Sequence, residues 1–516
     1  MSAGDIAAAN GETEKAIDAY RGESKAAGPE GDRAHAALVR ALLYDGKIAE
    51  ADSTAKAWVA STPQSGWALD AIAQVQFRKT DMKESLASLQ AALAADPCNP
   101  AARYDTERFY DITAMYASAK RAIDIAHQLD PVDDAIRADW ISWQPRAQRV
   151  TEVGRYLEDA KYLNEKRHKL FEDYQARLAA PATAPCRLTT PVTATVNIPF
   201  KPVSYGPGNP VTWGLDVGLE GKAKRLEIDT GASGLILSKG AAAALHLTLR
   251  EGGQVSGFGD EGARKTWLAT VKSVRIGGIE FENCDVQVVE KMRSVTSDGL
   301  IGGNVFSRFL LTLDFPGREL RLDPLPARPN VVDDAANSSL ATSEDDNATP
   351  HDRYVAPEMK GWTSFYRTGH FLLLPVRLND HPSRLFIVDT GAFQNLITPD
   401  AAREVSKVET GYGSNMSGLS GQVAREIRTG PVTLEFAGLR QVTNGMRGVD
   451  GNNFSKGAGV EISGYLGAPT LHQLTLKIDY RDNLTFFDYD PKRIRPCGGL
   501  INNVDCENFD PTHDVK

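Results

Sequence analysis

Along the first third of the chain, small and apolar positions return at a fixed interval. Pro29, Pro63, Pro97 and Pro131 lie 34 residues apart, and Asp96, Asp130 and Thr62 precede three of them. Twelve residues before the last three prolines stand Ala51, Ser85 and Ala119; eight before, Ala55, Leu89 and Ile123; five before, Trp58, Ala92 and Ala126. Small residues at such places let two helices approach closely. The stretch is rich in Ala, Glu, Lys and Asp and poor in Gly, which predicts helix throughout. Helix is expected to continue over 133–180, with Val153–Leu178 as one long helix ending near Ala179-Ala180-Pro181 and covering the end of the repeats. The register places Met1 a few positions inside the first helix, which reads as a chain trimmed upstream, a removed export signal being one candidate.

After Cys186 the pattern switches to period two. Val192-Thr-Ala-Thr-Val-Asn-Ile198 alternates, and Gly-rich turns and β-branched residues follow, as strands require. The expected division is a helical repeat region with a capping helix over 1–180, a first all-β segment over 187–325 and an exposed connector over 326–353. A second all-β segment over 354–490 and a tail over 491–516 complete it. Pro181–Pro185 marks the first linker. The second connector is rich in Pro, Asp, Asn, Ser and Thr.

The two β segments carry the same landmarks in the same order. Leu226-Glu227-Ile228-Asp229-Thr230-Gly231-Ala232 corresponds to Phe386-Ile387-Val388-Asp389-Thr390-Gly391-Ala392, each followed by a second apolar run. Ser256-Gly-Phe-Gly-Asp-Glu-Gly-Ala-Arg264 corresponds to Ser417-Gly-Leu-Ser-Gly-Gln-Val-Ala-Arg425. Asp298-Gly-Leu-Ile-Gly-Gly303 corresponds to Ser463-Gly-Tyr-Leu-Gly-Ala468, and Leu313-Asp-Phe315 to Ile478-Asp-Tyr480. Four ordered landmarks at similar spacing are economically explained by duplication.

A 34-residue period of paired helices closed by proline resembles the tetratricopeptide repeat, over roughly residues 1–131. The family's aromatic and Gly positions are poorly kept. Each β segment resembles the retropepsin-like aspartic peptidases: an apolar run into Asp-Thr-Gly-Ala, a glycine-containing flap hairpin, then an apolar-apolar-Gly element. The resemblance implies a multidomain α + β chain, with a helical-repeat solenoid followed by two homologous lobes forming a pseudo-dimer. It implies an aspartic endopeptidase with Asp229 and Asp389 as catalytic groups. Pairing of each lobe with its twin from a second chain is the rival arrangement.

The chemistry explains why those residue types stand there. Two carboxylates near contact cannot both ionise, so they share a proton and titrate as a pair. The ionised member takes a proton from water and the protonated member polarises the scissile carbonyl, with no cofactor and no metal. None of the nine His forms a His-Glu-x-x-His pattern. Thr230 and Thr390 are expected to bond backbone of the opposite lobe, as in the family. Gly231 and Gly391 leave room for backbone N–H to reach the carboxylate. The flap candidates are Gly257, Phe258 and Gly259, and Gly418, Leu419 and Ser420. Gly302 and Gly467 are expected to lie where a strand passes the Asp loop, and Arg264 and Arg425 to anchor surface loops. Where pepsin-like relatives place Ser or Thr, this chain has Ala232 and Ala392, which predicts activity at weakly acidic to neutral pH. Phe393, where the first half has Ser233, is placed to shape or narrow the cleft.

Composition sets the remaining bounds. At 516 residues, two to four domains are expected. A net charge of −9 is mild and argues against nucleic acid or an anionic membrane as partner, and no apolar run approaches a membrane span. The partners expected are a polypeptide substrate and a protein bound to the repeats. Of five cysteines, Cys497 and Cys506 are placed to close a short disulfide in an oxidising compartment, with free thiols as the alternative. With the abrupt start, this favours an exported protein over a cytoplasmic one. A protein that holds peptide without cutting it is the alternative reading; a glycosidase with paired carboxylates has the wrong turn context.

Overall fold

The computed structural model describes residues 1–179, 186–190, 193–206, 211–255, 257, 259–292, 294–329, 350–414 and 416–493. Helices occupy Ala3–Ala9, Thr13–Glu23, Pro29–Asp45, Ile48–Ser61, Gly66–Arg78, Met82–Ala95, Pro100–Ile112, Tyr116–Leu129, Asp134–Ser142, Arg146–Asp159 and Glu165–Ala179. Strands dominate from Arg187 onward.

The repeating positions explain the helix pairs. Ala51, Ser85 and Ala119 are fully buried, and the Ser85 hydroxyl donates to the Ala73 carbonyl at 2.9 Å, tying Met82–Ala95 to Gly66–Arg78. Pro63, Pro97 and Pro131 each follow a helix end by two residues, where the missing N–H ends the ladder. Pro29 instead occupies the first turn of Pro29–Asp45, the helical position that tolerates it.

Two expectations at the ends of this region need correction. Ser2 caps the first helix in a reciprocal capping box with Asp5, so among the residues described this helix runs from Ala3, with Met1 outside it. The long helix Val153–Leu178 is two helices. The chain turns over Ala160–Asn164 because Leu163 packs inward, the Tyr162 hydroxyl reaches Asp134 at 3.0 Å, and the Asn164 side chain caps the next helix through the Arg167 N–H at 3.0 Å.

The described chain divides into two compact units. The first groups the helices with residues 350–353 and 452–461. Asp352 accepts from both the backbone N–H and the hydroxyl of Ser118 at 2.8 Å. Glu461 pairs with Arg78 at 2.9 Å and donates its N–H to the Arg78 carbonyl at 2.8 Å. Residues 452–461 thus group with the helices although they stand inside the second β segment in sequence.

The second unit holds the remaining β structure. In the first half, strand Lys222–Asp229 runs parallel to Gly299–Gly302, which pairs antiparallel with Leu235–Ser238. In the second half, Arg384–Val388 runs parallel to Ile462–Leu466, which pairs antiparallel with Leu396–Ile397. A six-stranded sheet draws on both halves: Phe309–Asp314 lies antiparallel to Thr475–Asp479, with Leu311 opposite Ile478. Their alternate residues Leu311, Leu313, Leu476 and Ile478 are fully buried in the main core.

Cys186 and Cys284 form a disulfide, tying the start of the first β segment to strand Ile279–Val289. Cys497 and Cys506 lie outside the described residues. Cys98 is free and exposed. No described helix is long and apolar enough to cross a membrane.

Candidate active site

Each Asp-Thr-Gly begins where a buried strand ends. Leu226 and Ile228 point into the core, so Asp229 emerges at the strand terminus beside Gly302; Val388 and Leu466 bring Asp389 to the matching place. The close passage needs glycine. A Cβ on Gly302 would lie 2.4 Å from the Ala232 carbonyl oxygen, and one on Gly467 would lie 2.4 Å from that of Gln394.

The two loops are locked by four reciprocal bonds. The Thr230 N–H donates to the Thr390 hydroxyl and the Thr390 N–H to the Thr230 hydroxyl, both at 3.0 Å. The hydroxyls pass their own protons onward, Thr230 to the Val388 carbonyl at 2.7 Å and Thr390 to the Ile228 carbonyl at 2.9 Å. Both threonines are buried, so every polar atom in the lock is satisfied within protein.

This lock brings the carboxyl groups of Asp229 and Asp389 into mutual hydrogen bonding. Gly231 and Gly391 contribute in two ways. The Gly231 N–H donates to Asp229 at 2.8 Å and the Gly391 N–H to Asp389 at 2.9 Å. Each glycine also makes room for the other half's carboxyl: a Cβ on Gly231 would sit 2.8 Å from the Asp389 Cγ, and one on Gly391 would sit 2.6 Å from the Asp229 Cγ.

The pair is electrostatically asymmetric. Burial holds both carboxyls above the ordinary carboxylate range. The charges of Asp389 and Glu227 push Asp229 higher still, against one backbone N–H from Gly231. Asp389 receives the hydrogen bond from Asp229 and two backbone N–H groups, Gly391 and Ala392 at 3.1 Å, which favour its ionised form. The surroundings thus favour the neutral form more at Asp229 than at Asp389. Asp229 and Asp389 are each of intermediate exposure as whole residues.

Two further groups border the Asp loops. The Nε2–H of His370, on the turn before strand Phe371–Leu378, donates to the Gly231 carbonyl at 3.0 Å, and burial holds this imidazole below its ordinary pKa. The buried carboxyl of Glu227, two residues before Asp229, accepts from the Tyr205 hydroxyl at 2.7 Å. Neither group stands out in the sequence, where Glu227 sits within the otherwise apolar Leu226-Glu227-Ile228. The available signal was parity: a charged residue two before Asp229 lies on the same strand face.

The flap candidates meet each other. Strands Arg250–Val255 and Arg264–Ile276 form one hairpin; Val408–Gly413 and Arg425–Thr429 form the other, with Ser417–Gly418 paired to Gly421–Gln422 at its tip. The Gly257 N–H donates to the Ser420 hydroxyl at 2.9 Å, and the Glu261 N–H to the Ser420 carbonyl at 2.8 Å. Gly259 has φ +124°, and a Cβ there would lie 2.5 Å from the Gly421 carbonyl oxygen. Leu419 packs against Ala232, Ile236 and Val289 in the first half. Phe258 lies outside the described residues. Arg264 and Arg425 are exposed at the return strands, Arg264 pairing with Glu261 at 2.7 Å.

Residues 215–305 match the model of the aspartyl protease family. That span contains Asp229-Thr230-Gly231 and Gly302, and it supports an aspartic protease region and, in general terms, aspartic protease function. A crystal structure of a retropepsin-like aspartic protease from Rickettsia conorii is similar over 25% of this chain and 92% of its own, at 22% identity and a TM-score of 0.19. No curated protein matches the chain.

Proposed function

We propose that this chain is an aspartic endopeptidase whose catalytic pair, Asp229 and Asp389, forms within one polypeptide as an internal pseudo-dimer. The observation that carries the reading is the hydrogen-bonded carboxyl pair held by reciprocal threonine bonds between the two Asp-Thr-Gly loops. Water adds to the scissile carbonyl carbon as Asp389 takes one of its protons and Asp229 gives its own to the carbonyl oxygen. Collapse of the tetrahedral adduct breaks the C–N bond. The proton on Asp389 passes to the leaving amine, and the adduct's hydroxyl returns a proton to Asp229, restoring the starting state. Thr230, Gly231, Thr390 and Gly391 hold this geometry. The hairpin residues Gly257, Gly259, Gly418, Leu419 and Ser420 cover the bound peptide, and their mutual bonds open to admit it.

The helical unit serves as the recruiting surface for a protein partner or the substrate. A cavity of about 310 Å³ supports this, with Tyr44 and Trp67 among its lining and Arg33 set among Asp5, Asp130 and Asp133. An aromatic and mixed-charge lining suits polypeptide.

The test is cleavage of a diverse peptide mixture from pH 3 to 8, with product termini read by mass spectrometry. Wild type is expected to cut, while folded Asp229→Asn and Asp389→Asn variants do not. Wild type that binds peptides in this assay but leaves them whole would instead favour a non-catalytic peptide-binding protein.

A further inference from the structure

We propose that Glu227 is a positioning residue for the carboxyl pair: its buried carboxyl, held by the Tyr205 hydroxyl on the strand face that carries Asp229, sets the pH at which Asp229 and Asp389 surrender their shared proton. This rests on reading the pair as the proteolytic dyad.

The placement follows from the strand. Glu227 and Asp229 share one face of Lys222–Asp229, and Glu227 is only 1% exposed. Its register neighbours are Gly214 and Leu300, neither of which titrates or carries charge. Arg225, next along the same face, is engaged with Asp216 at 2.9 Å. The titratable groups facing Glu227 are Tyr205, from the segment after strand Lys201–Ser204, Asp389, from the opposite loop, and Asp229, two residues along its own strand. The Tyr205 ring meets Phe393 edge-on with centroids 4.8 Å apart. Phe393 therefore orients the phenol that holds Glu227, and the loop after Asp389 positions the acid facing it.

The sign of the effect follows from which form is charged. Burial pushes Glu227 up to about 7; the Tyr205 hydrogen bond opposes the rise and the Asp389 charge adds to it. Below that pH Glu227 is neutral and leaves the dyad undisturbed. Near neutrality it ionises, and a negative charge beside the dyad makes loss of the shared proton harder. The alkaline limb of activity is thereby carried to higher pH, while the acid limb, set where Glu227 is neutral, stays in place. A residue serving only to fill space would move neither limb selectively.

The experiment compares kcat/KM of the full chain from pH 3 to 9 for wild type, Glu227→Gln and Tyr205→Phe. Glu227→Gln keeps the shape and removes the charge, so its alkaline limb should fall by about one pH unit, with the acid limb unmoved. Tyr205→Phe leaves Glu227 neutral to higher pH and should shift the same limb in the same direction by less. It also serves as the second variant if Glu227→Gln does not fold. An alkaline limb unmoved in both, or a uniform loss at every pH, would overturn the proposal. Difference potentiometric titration of folded wild type and variants reads the same proton release without turnover. An inactive wild type would then sink the protease reading, while the titration still decides whether Glu227 governs the pair.

Discussion

Replacing Gly391 by alanine tests how closely the two halves depend on each other. The new Cβ would stand 2.6 Å from the Asp229 Cγ and 2.8 Å from both its oxygens. Carbon atoms in contact settle at about 3.5 Å, so the carboxyl or the loop must move by about 0.9 Å. Gly391 is not among the positive-φ residues, so the substitution adds no backbone strain and the effect is steric. A misplacement of about 1 Å in a reacting constellation costs roughly 100-fold in rate. Gly391→Ala should therefore lower kcat about 100-fold while the protein stays folded. Gly240→Ala is the control: it lies in the short helix Lys239–Ala244, with no atom closer than 4.0 Å to the added Cβ, and should leave activity unchanged. The assay is kcat on one cleaved peptide, with thermal melting of each variant. A folded Gly391→Ala enzyme with wild-type kcat would refute the reasoning, as would a loss matched by Gly240→Ala.

Removing the threonine lock should be felt in stability. Thr230→Val strands the buried Thr390 N–H and Val388 carbonyl, at a cost of about 2–4 kcal/mol readable by denaturant unfolding. Glu227, pushed up to about 7, binds a proton in the folded state that the unfolded chain has already lost; its contribution is present below about pH 4.5 and lost as pH rises to about 7, a change of about 3 kcal/mol. Glu227→Gln should remove that part of the slope in stability measured against pH. His472 works in the opposite direction: burial holds it at about 4, so the unfolded chain takes up a proton first and stability falls as pH drops from about 6.5 to about 4. His472→Gln should flatten that acid limb. Reducing Cys186–Cys284, which closes a separation of 98 residues, should cost about 4 kcal/mol, read as a lower denaturant midpoint.

The order of helices followed by strands was legible because period-3.6 and period-two patterns differ and meet near Cys186. The 34-residue spacing was legible because close helix contacts demand small residues, as at Ala51, Ser85 and Ala119. The duplicated Asp-Thr-Gly loops stood out because the same turn needs the same residues twice. Much of what surrounds them was not legible. Alternation in Leu311 and Leu313 marks a strand with a buried face but does not name Thr475–Asp479 as its partner. Cys186 and Cys284 carry no spacing that identifies each other, since 98 residues separate them. The break at Asn164 was masked by a helical charge pattern on both sides. Glu227 is not legible as part of the site because its place among apolar residues hides its parity with Asp229. Gly231 and Gly391 were expected to admit their own loop's N–H groups; that each also makes space for the opposite carboxyl appears only when both halves stand together.

The most direct test of an internal dyad is to mix the two dead variants. Asp229→Asn and Asp389→Asn would be assayed for peptide cleavage separately and as an equimolar mixture unfolded and refolded together, beside refolded wild type. If the pair forms within one chain, wild type recovers activity and the mixture stays inactive at every concentration. Concentration-dependent activity in the mixture would mean that Asp229 of one chain meets Asp389 of another, and the internal pairing would be wrong.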